Sequence, residues 1–129
     1  MLNYITLAAG GALGTLIRFA LINSTAQYFR YPVFPWGTLV VNLSGSLLIG
    51  ILAGLNESDL MNPGIRTFLF IGLLGGFTTF SSFSLESLQL IRQSHYMHAL
   101  SYILASTVLG LVLAAIGFFS SKWAIQILR

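Results

Sequence analysis

The sequence predicts an all-α membrane protein with four transmembrane helices, and three observations lead there. First, 56% of its 129 residues are hydrophobic and only 7% are charged, against roughly 25% charged in a soluble domain. Second, the charges, at Arg18, Arg30, Glu57, Asp59, Arg66, Glu86, Arg92, Lys122 and Arg129, leave uncharged stretches at 1–17, 31–56, 67–85 and 93–121. A bilayer crossing takes about 20 apolar residues. Third, small residues recur at four-residue spacing inside these stretches, the pattern that lets helices approach closely in lipid. The expectation is one transmembrane domain over 1–129, with helices at approximately 3–28, 36–55, 65–94 and 97–121. The mean hydropathy of +0.86 agrees.

The composition also excludes several functions. With no cysteine there is no disulfide, thiol nucleophile or thiolate metal site. The net charge of +3 comes from basic residues scattered over loops and helices, with no stripe to bind nucleic acid. Lipid head groups are the expected partners of these charges. No Ser/His/Asp set or pair of carboxylates falls together within the spans, so the chain does not read as an enzyme.

Helix 1 carries Gly10-x-x-x-Gly14 with Gly11 beside it, a smooth packing face. No basic region precedes it and no A-x-A site follows, so it reads as a retained helix rather than a signal peptide. Two readings of Arg18 stand: a side chain reaching the head groups, or a cation facing a polar vestibule. Pro32 and Pro35 then stop helix propagation, while Tyr28, Tyr31 and Trp36 suit the membrane interface.

Helix 2 places Thr38, Asn42 and Ser46 four apart on one face. An amide in hydrocarbon needs a partner, through either an interhelical hydrogen bond or a lined polar pathway. The loop at 56–66 contains Pro63-Gly64 as turn chemistry. Helix 3 is expected to be interrupted near Gly75–Thr79. His95 and His98 follow it without a third ligand type nearby, and read as interface residues rather than a metal site. Helix 4 offers Ser106-x-x-x-Gly110-x-x-x-Ala114 as a small-residue face that Tyr102 extends, with Lys122 and Trp123 marking the second interface.

The basic residues divide as Arg66, Lys122 and Arg129 on one side against Arg30 and Arg92 on the other. That bias is too small to fix orientation, and a homodimer of oppositely inserted copies is consistent with it.

The stretch IGLLGGFTTFSSFSLES, residues 71–87, departs furthest from a plain spanning helix. A helix break in lipid leaves backbone groups unpaired, which is tolerated only when they are buried in protein or face water or an ion. Carbonyls around Gly75 to Thr78 would suit a hard cation such as sodium. Phe80 and Phe83 share a face of the following half-helix, and the positive edges of their rings can meet an anion. Ser81, Ser84 and Ser87 add hydroxyls at three-residue spacing. Periodicity alone leaves a second reading open: packing phenylalanines, and serines bonded to their own i−4 carbonyls. Glu86, an acid late in the span, is a functional candidate by position.

GGFTTFSSFS at 75–84, WGTLVVNLSGS at 36–46 and GGALGTLIR at 10–18 together resemble the Fluc family of small microbial fluoride channels, over nearly the whole chain. Ser82 departs from the threonine common in that family; the hydroxyl is kept. The resemblance implies a dual-topology antiparallel homodimer in the plasma (inner) membrane that passively exports fluoride, with a structural sodium ion held by the carbonyls of Gly75 and Thr78. It implies that Phe80, Phe83 and Asn42 line the fluoride pathway, with Thr38, Ser81, Tyr102 and Ser106 along a polar track. Arg18 and Glu86 match a vestibule arginine and an acid of that family. Two rivals are a small multidrug transporter, which needs an acid in helix 1 that this chain lacks, and an accessory subunit of a larger membrane complex, which leaves the clustered hydroxyls unexplained.

Overall fold

The computed structural model describes residues 2–29, 33–57 and 61–128. Arg30, Tyr31, Pro32, Asp59 and Arg129, to which the sequence assigned loop and interface roles, lie outside the described residues. Helix α1 spans Leu2–Tyr28 and α2 spans Trp36–Asn56. Pro35 immediately precedes α2, where its fixed φ and missing N–H suit a helix start. Helix α3 covers 63–77 and is π-helical over Thr67–Leu74. It opens with Asn62 accepting from the Ile65 N–H at 2.9 Å. Helix α4 is Phe80–Arg92 and α5 is Tyr96–Leu128, with a second π-helical turn at Ala105–Leu109.

Four stretches are long and apolar enough to cross a membrane: Tyr4–Tyr28, Trp36–Asn56, Pro63–Arg92 and Tyr96–Leu128. The last runs seven residues past the expected end at 121. No glycine or proline follows Gly117 in that segment, so Lys122 and Trp123 lie within the helix rather than beyond it. The turn between α4 and α5 includes Ser94 at φ 62°, the single non-glycine residue with positive φ among those described.

Glycines set the packing. A Cβ on Gly14 would meet the Leu73 carbonyl and stand 2.8 Å from the Phe77 nitrogen, and one on Gly10 would stand 2.7 Å from the Phe68 oxygen. The predicted face of α1 therefore lies directly on the backbone of α3. Across the molecule, α2 and α5 meet in the same way. A Cβ on Gly50 would run into the Ala114 carbonyl, and one on Gly117 would meet the Leu47 carbonyl. The small-residue face of α5 thus continues past Ala114 to Gly117. Close backbone approach of this kind supplies the dispersion contact that binds helices where the hydrophobic effect between them is absent.

The buried core is small. Leu39, Leu90, Ala99 and Tyr102 form one cluster; Val41, Leu74 and Phe77 form another. Large apolar side chains such as Leu16, Phe19, Leu111 and Phe119 point outward, as lipid-facing surface does.

Candidate functional site

Thr78 and Thr79 have extended backbone, at φ −81°, ψ 157° and φ −147°, ψ 113°, between the last residue of α3 and the first of α4. Several groups take up the polar atoms this exposes. The Thr78 N–H and hydroxyl both donate to the Leu74 carbonyl, each at 2.9 Å. The Thr79 hydroxyl accepts from the Ser82 N–H at 3.2 Å and so caps α4. The Thr79 main chain is matched by Asn42 of α2. The Thr79 N–H donates to Asn42 Oδ1 at 2.9 Å, and Asn42 Nδ2 donates to the Thr79 carbonyl at 3.1 Å. One side-chain amide therefore satisfies a backbone donor and a backbone acceptor, as a strand partner would. Gly45, one helical turn beyond Asn42, leaves room for the Thr78 methyl, which a Cβ there would strike.

A cavity of about 390 Å³ opens beside this junction, bounded by Asn42, Gly75, Thr78, Phe80, Phe83 and Ser106 among others. The Ser106 hydroxyl is buried there without a hydrogen-bond partner. Buried polar atoms are nearly always paired, so this hydroxyl is available to whatever occupies the cavity. The Phe80 ring is 79% exposed to the outside of the chain. It tilts at 46° to Phe83, with centroids 5.7 Å apart.

Phe83 connects the cavity to a second polar group. Its ring lies 5.4 Å from that of Tyr102, whose hydroxyl donates to Glu86 Oε2 at 2.7 Å. The Thr38 hydroxyl donates to Glu86 Oε1, also at 2.7 Å. Each carboxylate oxygen of Glu86 thus holds one hydroxyl, from α2 on one side and α5 on the other. Charge-assisted bonds of this length are about twice as strong as neutral ones. They tie three spans together at the acid.

Of the residues singled out in the sequence, Thr38, Asn42, Phe80, Phe83, Tyr102, Ser106, Gly75, Thr78 and Glu86 come together along this line. Ser81 is exposed and contacts the Thr79 hydroxyl at 3.4 Å. Ser84 and Ser87 donate back to the Phe80 and Phe83 carbonyls at 2.9 and 2.7 Å, so for these two the i−4 reading holds. Arg18 is half-buried on α1, away from the cavity lining, with no carboxylate within ion-pair distance among the described residues. Sequence reasoning placed Thr79 at the edge of the expected helix break and gave it no role of its own in the site. Its signal was a threonine three before Ser82 at the start of a half-helix, an N-cap pattern.

Among the described residues no three His, Asp or Glu come together. His95 and His98 stand as a pair, with ring centroids 5.7 Å apart.

The model of the family described as CrcB-like protein, Camphor Resistance (CrcB), matches residues 5–118. A protein of Methylobacillus flagellatus named fluoride-specific ion channel FluC is 43% identical over 127 residues, covering 98% of this chain and 99% of its own length. Proteins of the same name from Opitutus terrae and Helicobacter pylori are 45% and 38% identical over 128 and 122 residues, covering 92% and 94% of this chain and 96% and 94% of their own lengths. With four spanning helices, such a chain is a multi-pass membrane protein, in bacteria one of the inner membrane. The chain belongs to the CrcB-like family.

Proposed function

We propose that this protein is a fluoride-selective channel, not an enzyme or a pump, through which fluoride leaves the cytoplasm down its gradient. One observation carries the reading: the cavity at Thr78–Thr79 pairs the unpartnered Ser106 hydroxyl with the rings of Phe80 and Phe83, and among the described residues no fixed positive charge lines it. A small, strongly hydrogen-bonding anion exchanges water for hydroxyl and amide donors and for the positive edges of aromatic rings. Larger halides gain less from the same donors. The names of the relatives in Methylobacillus, Opitutus and Helicobacter support the choice of anion.

In this reading the third span is broken at Thr78–Thr79, and the break serves two purposes. The half-helix from Phe80 onward faces the anion, and the turn before it presents main-chain oxygens. Sodium is the structural cation of this account. The donor set suits it: Gly75 and Thr78 both border the cavity, and beyond Gly75's own turn of helix no described atom lies within 4 Å of where a Gly75 Cβ would stand. A bound sodium would supply a hard positive charge that fixes the junction, held by the Gly75 and Thr78 carbonyls. Carbonyls from one chain are too few for such an ion, and a second copy completes the set. The functional unit is therefore an antiparallel homodimer of oppositely inserted copies, which explains why Phe80 is outward on a single chain. Thr38, Ser81, Tyr102 and Ser106 extend the polar track, with Asn42 at its centre. Arg18, which lies off the cavity lining, corresponds in this reading to the arginine near the vestibule. Release of fluoride from liposomes containing the purified protein, measured against chloride, tests the assignment.

A further inference from the structure

One face of α2 changes character along its length. At four-residue spacing, Thr38, Asn42 and Ser46 carry hydrogen-bonding side chains, and Gly50 and Gly54 carry none. The first two are engaged: Thr38 donates to Glu86, and Asn42 holds the Thr79 main chain in both directions. The two glycines close the seam with α5. A Cβ on Gly50 would run into the Ala114 carbonyl, and one on Gly54 would meet Ser121 Oγ and stand 2.6 Å from the Phe118 oxygen. From Gly50 onward the backbones of α2 and α5 therefore leave no room for an ion between them. Ser46 is the last polar position on this face before the closure, one turn, or about 6 Å, deeper than Asn42.

The Ser46 hydroxyl is free. Serines in membrane helices commonly bond back to a carbonyl of the preceding turn, and Ser44, Ser84, Ser87 and Ser121 all do so, at 2.7–3.0 Å. Ser46 has no hydrogen bond to any described residue, and neither has Ser106. Both border the 390 Å³ cavity, one from α2 and the other from α5. Gly110, four residues after Ser106, keeps Ser46 open: a Cβ there would stand 3.3 Å from Ser46 Oγ and press on it. Two O–H donors that border one cavity from facing helices, and find no acceptor in the chain, suit a small anion. We propose, on the basis of the channel reading above, that Ser46 and Ser106 together form the deepest anion station of the pathway. Ser46 is then a further residue that sets the preference for fluoride. A fluoride ion exchanges water for short, charge-assisted bonds to both hydroxyls, and a larger halide gains less from each.

Initial fluoride efflux from liposomes is measured against internal fluoride concentration for the full-length wild type, Ser46→Ala, Ser106→Ala, the double variant and Gly110→Ala, with melting temperatures taken in detergent. Ser46→Ala is expected to raise the half-saturating fluoride concentration about fivefold or more, as loss of one hydrogen bond to a charged group does. Its melting temperature is expected to stay at the wild-type value, because the hydroxyl holds nothing in the chain. The double variant is expected to show less than the product of the two single effects, since both hydroxyls serve one ion. Gly110→Ala keeps both hydroxyls and crowds Ser46; a rise of about threefold is expected, and it covers the case in which Ser46→Ala fails to fold. Half-saturation unmoved in both Ser46→Ala and Gly110→Ala overturns the proposal. So does a Ser46→Ala protein that melts lower with half-saturation unmoved, the behaviour of a packing serine. Wild-type protein that releases no fluoride overturns the channel reading itself, whereas a conducting wild type with an indifferent Ser46→Ala overturns this station alone.

Discussion

Asn42 and Thr79 exchange two hydrogen bonds of opposite polarity, one from the Thr79 N–H to the Asn42 carbonyl oxygen and one from the Asn42 amide to the Thr79 carbonyl. The two residues are 37 positions apart. Their pairing keeps two extended residues within an otherwise helical span from leaving a backbone donor and acceptor unpaired.

Asn42→Ala removes both partners at once. An unsatisfied buried backbone group costs about 1–3 kcal/mol, and polar contacts between membrane helices fall at the lower end of that range. A lowered melting temperature in detergent and loss of fluoride flux are expected. Asn42→Asp keeps the acceptor but sets a carboxylate against the Thr79 carbonyl, so its loss should exceed that of alanine. Equal stability of wild type and both variants would show that the clamp contributes nothing.

Tyr102→Phe keeps the ring contacts with Phe83 and Phe34 and deletes one of the two hydroxyls on Glu86. Thr38→Val deletes the other. Each single change is expected to cost about 1–3 kcal/mol. The two should be non-additive, because the second leaves the acid with no donor among those the structure supplies. Thermal denaturation of the two singles and the double checks this; simple addition would mean the two hydroxyls act independently.

Two glycines separate packing within the chain from contacts beyond it. Gly14→Ala places its Cβ against the Leu73 carbonyl and the Phe77 nitrogen, forcing α1 away from α3 at about 1–3 kcal/mol. Gly75 is helical at φ −63°, ψ −36°, and a Cβ there meets nothing beyond its own turn of helix among the described residues. Taken alone, the chain should tolerate Gly75→Ala, with a helix-propensity gain of up to about 1 kcal/mol. The account of a shared cation predicts that this variant nevertheless loses dimer stability and sodium dependence, measured by light scattering and flux with sodium replaced throughout by a larger cation. A fully active Gly75→Ala would remove the cation from that position.

Ser94 occupies a left-handed conformation that costs an L-residue about 1–2 kcal/mol. Ser94→Gly relieves it, and a gain of about 1 kcal/mol in stability with unchanged flux is expected. A destabilised Ser94→Gly would mean that the turn owes its shape to something the serine side chain supplies.

The spans were legible because charges so sparse leave few ways to divide the chain, and the glycine faces of α1 and α5 because small-residue spacing has one main use in lipid. The extension of α5 to Leu128 was not. Lys122 and Trp123 read as an interface marker, yet nothing from Ser121 to Leu128 stops a helix. Asn42 stood open between a hydrogen bond and a pathway lining because its partner is a main-chain group, which has no sequence signature. The serine row stayed open between two readings for a related reason. Spacing places Ser84 and Ser87 on the half-helix, but only coordinates reveal hydroxyls turned onto their own carbonyls. The π-helical turns, which both border the cavity, have no pattern that sequence reading could use.

The central claim is that fluoride passes beside the aromatic pair at Thr78–Thr79. Its most direct test is fluoride efflux from liposomes carrying the wild-type protein, Phe80→Ile and Phe83→Ile, each paired with a chloride measurement. Isoleucine keeps apolar bulk and removes the ring quadrupole. The account predicts rapid wild-type efflux of fluoride but not chloride, and a fall of about tenfold or more in each variant. Wild-type efflux no faster than from empty liposomes, or full flux in both variants, contradicts it.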